Sequence, residues 1–171
     1  MSDSLSVRPL ATIGVPAIAM AGGYEFLKLV QSPDPVDVKA MALGIGEAAL
    51  AAAIAYAKER KQFGHPIADF QGLQWMLADS RVELDAARLL LWRAATLADQ
   101  GKPFSTEAAI AKLHASEAAS HVCDRALQIH GGYGFINQFP VERYVRDVRL
   151  CRIGEGTSEV QRRVIARALL G

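Results

Sequence analysis

The sequence predicts an all-α fold, an up-and-down helical bundle. Three observations carry that expectation: apolar residues recur at three and four positions through long stretches, short turns rich in Gly and Pro separate those stretches, and no run of convincing alternation marks a strand. With 171 residues, 51% of them hydrophobic and many of these alanine, the chain is sized for one domain with a proper core.

Residues 1–33 scatter Pro9, Pro16, Gly22, Gly23 and Pro33 without a sustained period, and read as a poorly structured N-terminal arm ahead of a helical domain over 34–171. Asp34-Pro35 has the form of an N-cap followed by proline at the first helical position, with Asp37 adding an acid to the first turn. A helix from there to about Phe63 places Leu43, Leu50, Ile54 and Ala57 on one stripe, and Gly64 and Pro66 stop it. The next helix runs from about Asp69 to Gln100, closed by Gly101 and Pro103. In it Leu77, Leu84 and Leu91 recur at seven residues and Leu73, Ala87 and Ala98 fill the same face. A third opens at Ser105 with Glu107 in its first turn and continues to about Ile129. Its alanines let neighbouring helices approach closely, and His130-Gly131-Gly132-Tyr133-Gly134 ends it. A short helix from Pro140 to Arg149 follows. The last runs to Leu170 from a capping box in which Ser158 and Gln161 satisfy free backbone donors.

Nineteen basic against eighteen acidic residues give a net charge of +1, which argues against a nucleic-acid surface or binding to an anionic membrane. The apolar run from Ala11 to Ala21 mimics a weak secretory signal, but Asp3 precedes it, Pro16 interrupts it, and it is too short to span a bilayer. Cys123 and Cys151 have no metal-ligand spacing and are too few for a disulfide framework, so no metal and a reducing cytoplasm are expected.

The chemistry gathers in Arg152-Ile153-Gly154-Glu155-Gly156-Thr157-Ser158-Glu159. A carboxylate between two glycines sits on backbone that bends sharply and approaches a ligand closely, so Glu155 is presented rather than packed. The helix N-terminus beside it suits an anionic or polar ligand. Three more motifs precede it: Arg60-Lys61-Gln62-Phe63-Gly64; Asp69-Phe70-Gln71; and Gln128 through Gly134. Read singly, Arg60 is a cation at a helix C-terminus, Gly131-Gly132 a C-cap and Gln71 a surface residue.

Taken together over about residues 40–171, the four motifs resemble the C-terminal helical domain of the acyl-CoA dehydrogenases, flavoenzymes that introduce an α,β double bond into acyl thioesters. The resemblance implies FAD as cofactor and acyl-CoA as substrate. It also implies electron-transfer flavoprotein or a similar acceptor as redox partner, and a homo-dimer or tetramer associated through the bundle. It implies that Arg60, with Gln62 and Phe63 beside it, contacts the FAD pyrophosphate of a neighbouring subunit, and that Phe70 and Gln71 lie near the adenosine end. Gln128, Gly131 and Gly132 then receive the ADP half across a subunit boundary, Thr157 and Glu159 border FAD, and Gly156 touches substrate. Glu155 matches the catalytic base, which needs partial desolvation to remove a weakly acidic α-proton.

Family members carry in addition an N-terminal helical domain and a middle β domain. Where many of them place an arginine near substrate, this chain has Pro35, with Lys39 the nearest cation. Gly154 stands where some place a bulky aromatic. Two functions compete: an FAD-dependent acyl-CoA dehydrogenase domain with Glu155 as base, and a non-catalytic assembly module that keeps the family's oligomerisation interface without its chemistry.

Overall fold

The computed structural model describes residues 37–171, and the expected N-terminal arm and the Asp34-Pro35 helix start lie outside them. Among the described residues, five helices follow in order: α1 (Asp37–Glu59), α2 (Gln71–Asp99), α3 (Ser105–His130), α4 (Val141–Cys151) and α5 (Ser158–Leu170). A minimal hairpin, β1 (Lys61–Gln62) and β2 (His65–Pro66), follows α1, and single 3-10 turns cover Ile67–Asp69 and Gly131–Phe135. The bundle is all-α, as the periodicity predicts.

Helix α3 is the centre and packs against each of the other four helices. Its alanines explain why it can. Ala111, Ala115, Ala119 and Ala126 are buried, and their small side chains let the facing helices come close. Gly46 of α1 makes the tightest approach: a Cβ there would lie 2.7 Å from Leu84 Cδ2 and 3.3 Å from Ala119 Cβ, so α1, α2 and α3 meet where only a hydrogen fits. Around this point Met41, Ile45, Leu84, Leu91 and Val122 form the apolar core. The 22 residues Val38–Glu59 are apolar and long enough to cross a membrane, but half of that length is buried inside the bundle, where its apolarity serves the core.

The turn after α2 is built as expected from Gly101. The Lys102 N–H donates to Leu97 O and the Gly101 N–H to Ala98 O, with Gly101 at φ 64°, the paired bonds of a Schellman motif. Helix α4 extends to Cys151, two residues past its expected end, because Val141, Tyr144, Val148 and Cys151 make one buried stripe. Cys123 and Cys151 are both buried free thiols. Burial pushes the Cys151 thiol up to about 12 and the Cys123 thiol higher still, so neither is a nucleophile.

Two local expectations are corrected. Helix α1 ends at Glu59, not near Phe63, because the chain turns into the hairpin, pairing Lys61 with Pro66 and Gln62 with His65. Phe63 (φ 53°) and Gly64 (φ 85°) occupy its two central positions, both left-handed as a type I′ turn requires. Strands of two residues are too short to show alternation. The capping box at α5 is also displaced: Thr157 is the N-cap and accepts from Val160 N, while the Ser158 hydroxyl and the Gln161 amide bond elsewhere.

Candidate functional site

Five of the residues singled out from the sequence line two separate clefts, four in one and Glu155 in the other, while Gly156, Thr157 and Glu159 follow Glu155 in the chain without lining either. The first, about 510 Å³, lies between the hairpin and the turn after α3. Arg60, Gln62, Gly131 and Gly132 line it together with Tyr56, Ile67, His130 and Tyr133. Arg60 is fixed at the hairpin base: its N–H donates to Tyr56 O at 2.8 Å and its carbonyl accepts from Ile67 N at 2.8 Å. Its guanidinium carbon stands 5.7 Å over the Tyr133 ring, within cation–π range. Open space surrounds the positions where Gly131 and Gly132 would carry a Cβ, so their backbone is accessible from the cleft.

An aromatic wall, absent from the sequence reading, backs this cleft. Tyr56 stacks on His130 with centroids 4.3 Å apart, and Phe139 meets both edge-on. His130 Nδ1 lies 2.8 Å from Ala126 O, and burial lowers its pKa, so a neutral ring holds the wall. The turn beneath it depends on Gly134, where a Cβ would sit 2.5 Å from Leu127 O, a backbone atom that cannot step aside. Gly134→Ala is therefore expected to cost about 1–3 kcal/mol in urea unfolding, together with a shift of the Gly131 and Gly132 resonances. Unchanged stability and resonances would show that the turn relaxes freely.

Phe63, Phe70, Gln71 and Gln128 are not among the residues lining that cleft. Phe63 is 83% exposed and meets the half-buried Phe70 ring edge-on at 6.3 Å, while Gln71 opens α2 and Gln128 sits in the last turn of α3, both exposed.

The second cleft, about 850 Å³, holds Glu155. Lys39, Lys112, Gln161, Val164 and the turn from Gly101 to Ser105 complete its lining. Glu155 is exposed, as a carboxylate between glycines should be, and its backbone is left-handed at φ 53°, followed by Gly156 at φ 93°. Two consecutive residues of this kind throw the chain into a sharp corner. For the first, a non-glycine, the conformation costs about 1–2 kcal/mol, so the surroundings must hold it.

Three groups do. Gln161 Nε2 donates to Glu155 O at 3.1 Å and to Gly156 O at 3.3 Å. Lys112 Nζ donates to Gly156 O at 2.7 Å. Glu117 of α3 ties both ends of the loop, accepting from the Ser158 hydroxyl at 2.6 Å and pairing with Arg152 Nη2 at 3.0 Å. Thr157 caps α5. Glu159 is exposed on the first turn, its carboxyl held below the usual range by the N-terminal amide and the Thr157 hydroxyl. Lys112 was not legible as a site residue. The signal for it was a lone lysine on the alanine face of α3, three residues before Ala115 and four after Ala108.

The profile described as "Acyl-CoA dehydrogenase, C-terminal domain" matches residues 36–170. The chain belongs to the acyl-CoA dehydrogenase family. It is 49% identical over 165 residues to the probable acyl-CoA dehydrogenase YngJ of Bacillus subtilis, covering 94% of this chain and 43% of that protein. It is 50% identical over 133 residues to the caffeyl-CoA reductase-Etf complex subunit CarC of Acetobacterium woodii, covering 78% of this chain and 35% of that one. Butyryl-CoA dehydrogenase from Megasphaera elsdenii superposes with a TM-score of 0.79 at 45% identity, over 87% of this chain and 39% of that structure. The chain thus spans less than half the length of the acyl-CoA dehydrogenases it matches. The family is FAD-dependent, and its C-terminal domain is a helical bundle of the kind described above.

Proposed function

We propose that this chain acts as the C-terminal domain of an FAD-dependent acyl-CoA dehydrogenase, with Glu155 as the base that removes the α-proton of an acyl-CoA thioester. The observation that carries the reading is the placement of Glu155 on a left-handed corner at the rim of the larger cleft. The corner exposes the carboxylate, and the glycine after it lets Gln161 and Val160 pack close against the bend. A carboxylate so presented accepts a proton once substrate displaces water around it and raises its affinity for protons. Gly156 borders the same position and would meet substrate.

The smaller cleft fits a diphosphate by its donor chemistry. One guanidinium, one carboxamide and the open backbone of two glycines face a space walled by aromatic rings. Arg60, Gln62, Gly131 and Gly132 would hold the FAD pyrophosphate and ADP half there, with Phe63, Phe70, Gln71 and Gln128 at the margin. Thr157 and Glu159 would border FAD at the other cleft. Bound FAD supplies the acceptor for the hydride leaving the β carbon. The two clefts share no lining residue, which is compatible with what the family resemblance implies: Arg60 would serve a partner subunit's cofactor and Glu155 its own subunit's substrate.

A dimer or tetramer is accordingly part of the reading, as are an electron-transfer flavoprotein or similar acceptor, in keeping with the name of the Acetobacterium relative, and a cytoplasmic location, in keeping with two buried free thiols. The assembly-module reading has an observation of its own. Trp75, Val82 and Leu89 recur at seven residues on α2 with Trp92 beside them, all more than half exposed, an apolar stripe suited to association. Titration with FAD, followed by flavin fluorescence, separates the two. For the dehydrogenase domain, Arg60→Ala should weaken FAD binding about ten- to a hundredfold, the loss of one charge-assisted phosphate contact. An oligomer that takes up no FAD before or after the substitution would favour the assembly module.

A further inference from the structure

Lys112 stands in the middle of α3, 2% exposed, with its ammonium 2.7 Å from the Gly156 carbonyl. An ammonium is costly to bury, and an apolar side chain of similar volume would stabilise a bundle core at least as well. Its close acceptor is a neutral carbonyl, so the gain lies in what that bond fixes. Burial lowers the Lys112 pKa, while Cys151, Glu155, Glu117 and Glu159 act against the shift. The lysine therefore lies within the field of the three carboxylates that surround the corner.

The corner itself is the second observation. Glu155 at φ 53° and Gly156 at φ 93° form a bend in which the first residue is strained. The carbonyl between Gly156 and Thr157 accepts from Lys112 and Gln161 together, and Gln161 also reaches Glu155 O. The two donors differ in origin. Gln161 belongs to α5, whose N-cap Thr157 directly follows the corner, whereas Lys112 belongs to α3, the helix against which the whole bundle packs. Glu117 of α3 holds the flanking Arg152 and Ser158, while Lys112 ties the corner's own carbonyl to that helix.

We propose that Lys112 is the positioning residue of the Glu155–Gly156 corner, holding it against α3 so that the Glu155 carboxylate faces the larger cleft in one orientation. The inference rests on the reading of Glu155 as the base, but the order of the corner is measurable without cofactor or substrate. Lys112→Met keeps the length and volume of the side chain and removes the donor. It should raise amide hydrogen exchange across residues 152–158 by about tenfold or more, the loss of one charged hydrogen bond, with exchange in α2 unchanged. The Glu155 side-chain carboxyl 13C resonance should shift, and Lys112→Arg, which keeps a buried donor, should bring both readouts back towards the native values. Unchanged exchange at 152–158, a rise shared equally by α2, or no recovery with arginine would overturn the proposal. If Lys112→Met does not fold, Gln161→Leu decides: with Lys112 in place the corner should stay within about threefold of native exchange, and a tenfold rise would assign the anchoring to α5 instead. Equal acyl-CoA turnover by the native chain and Glu155→Gln would defeat the assignment of Glu155 and leave the exchange result standing.

Discussion

Glu155→Gln is expected to lower kcat/KM for acyl-CoA oxidation by about 10²–10⁴-fold, the range that removal of a positioned general base produces. The substitution keeps the size and shape of the side chain and takes away the only property the reaction needs, the capacity to accept a proton. Glu155 is exposed, and the corner is held through its backbone carbonyls. Unfolding stability should accordingly change by no more than about 0.5 kcal/mol. A catalytic loss with an unchanged melting curve separates chemistry from folding. The measurement is reduction of an electron acceptor with acyl-CoA as substrate, native against variant, with FAD present. Equal rates would remove Glu155 from the mechanism.

Leu84→Ala should be the most damaging single truncation in the bundle, at about 2–5 kcal/mol. Leu84 is wholly buried, and its Cδ2 fills the space in front of Gly46 where α1, α2 and α3 meet. Removing the branched end leaves a void between three helices whose separation is already set by Gly46 and Ala119. In a domain of this size the loss corresponds to a fall in Tm of about 5–15 °C. A second substitution tests the geometry. Gly46→Ala alone overpacks the crossing, because its Cβ would meet Leu84 Cδ2 at 2.7 Å. In the Leu84→Ala background the same methyl enters the void and should restore stability, a coupling of opposite sign to the single effect. Additive losses in the double variant would show that α1 and α2 do not meet through this pair.

Most of the bundle was legible because its punctuation is local. Gly101 and Pro103 close α2, Ser105 and Glu107 open α3, and the Gly131 turn ends it, each within two residues of the expected place. Such signals depend on φ, on a missing N–H or on a short side-chain hydrogen bond, all of which a few neighbouring residues decide. The end of α1 was not legible to the same accuracy. Gly64 marks a turn in either reading, and whether Lys61 and Gln62 extend the helix or pair with His65 and Pro66 depends on Arg60 O meeting Ile67 N. Glu155 could be singled out from its flanking glycines, but the group that holds its corner lies 43 residues earlier in an alanine-rich helix, and no local pattern connects the two. Nor could spacing reveal that Arg60 and Glu155 open onto different clefts, since the arrangement follows from how five helices pack.

The smaller cleft is lined by residues from 56–67 and from 129–136, two stretches with α2 and most of α3 between them in the chain. Its two halves meet only once those helices have docked, so an unfolded chain has nothing equivalent to offer a nucleotide. Mass action then obliges any occupant of that space to protect the tertiary fold. At a free concentration one hundred times its dissociation constant, the occupant would add about 2.7 kcal/mol to global stability.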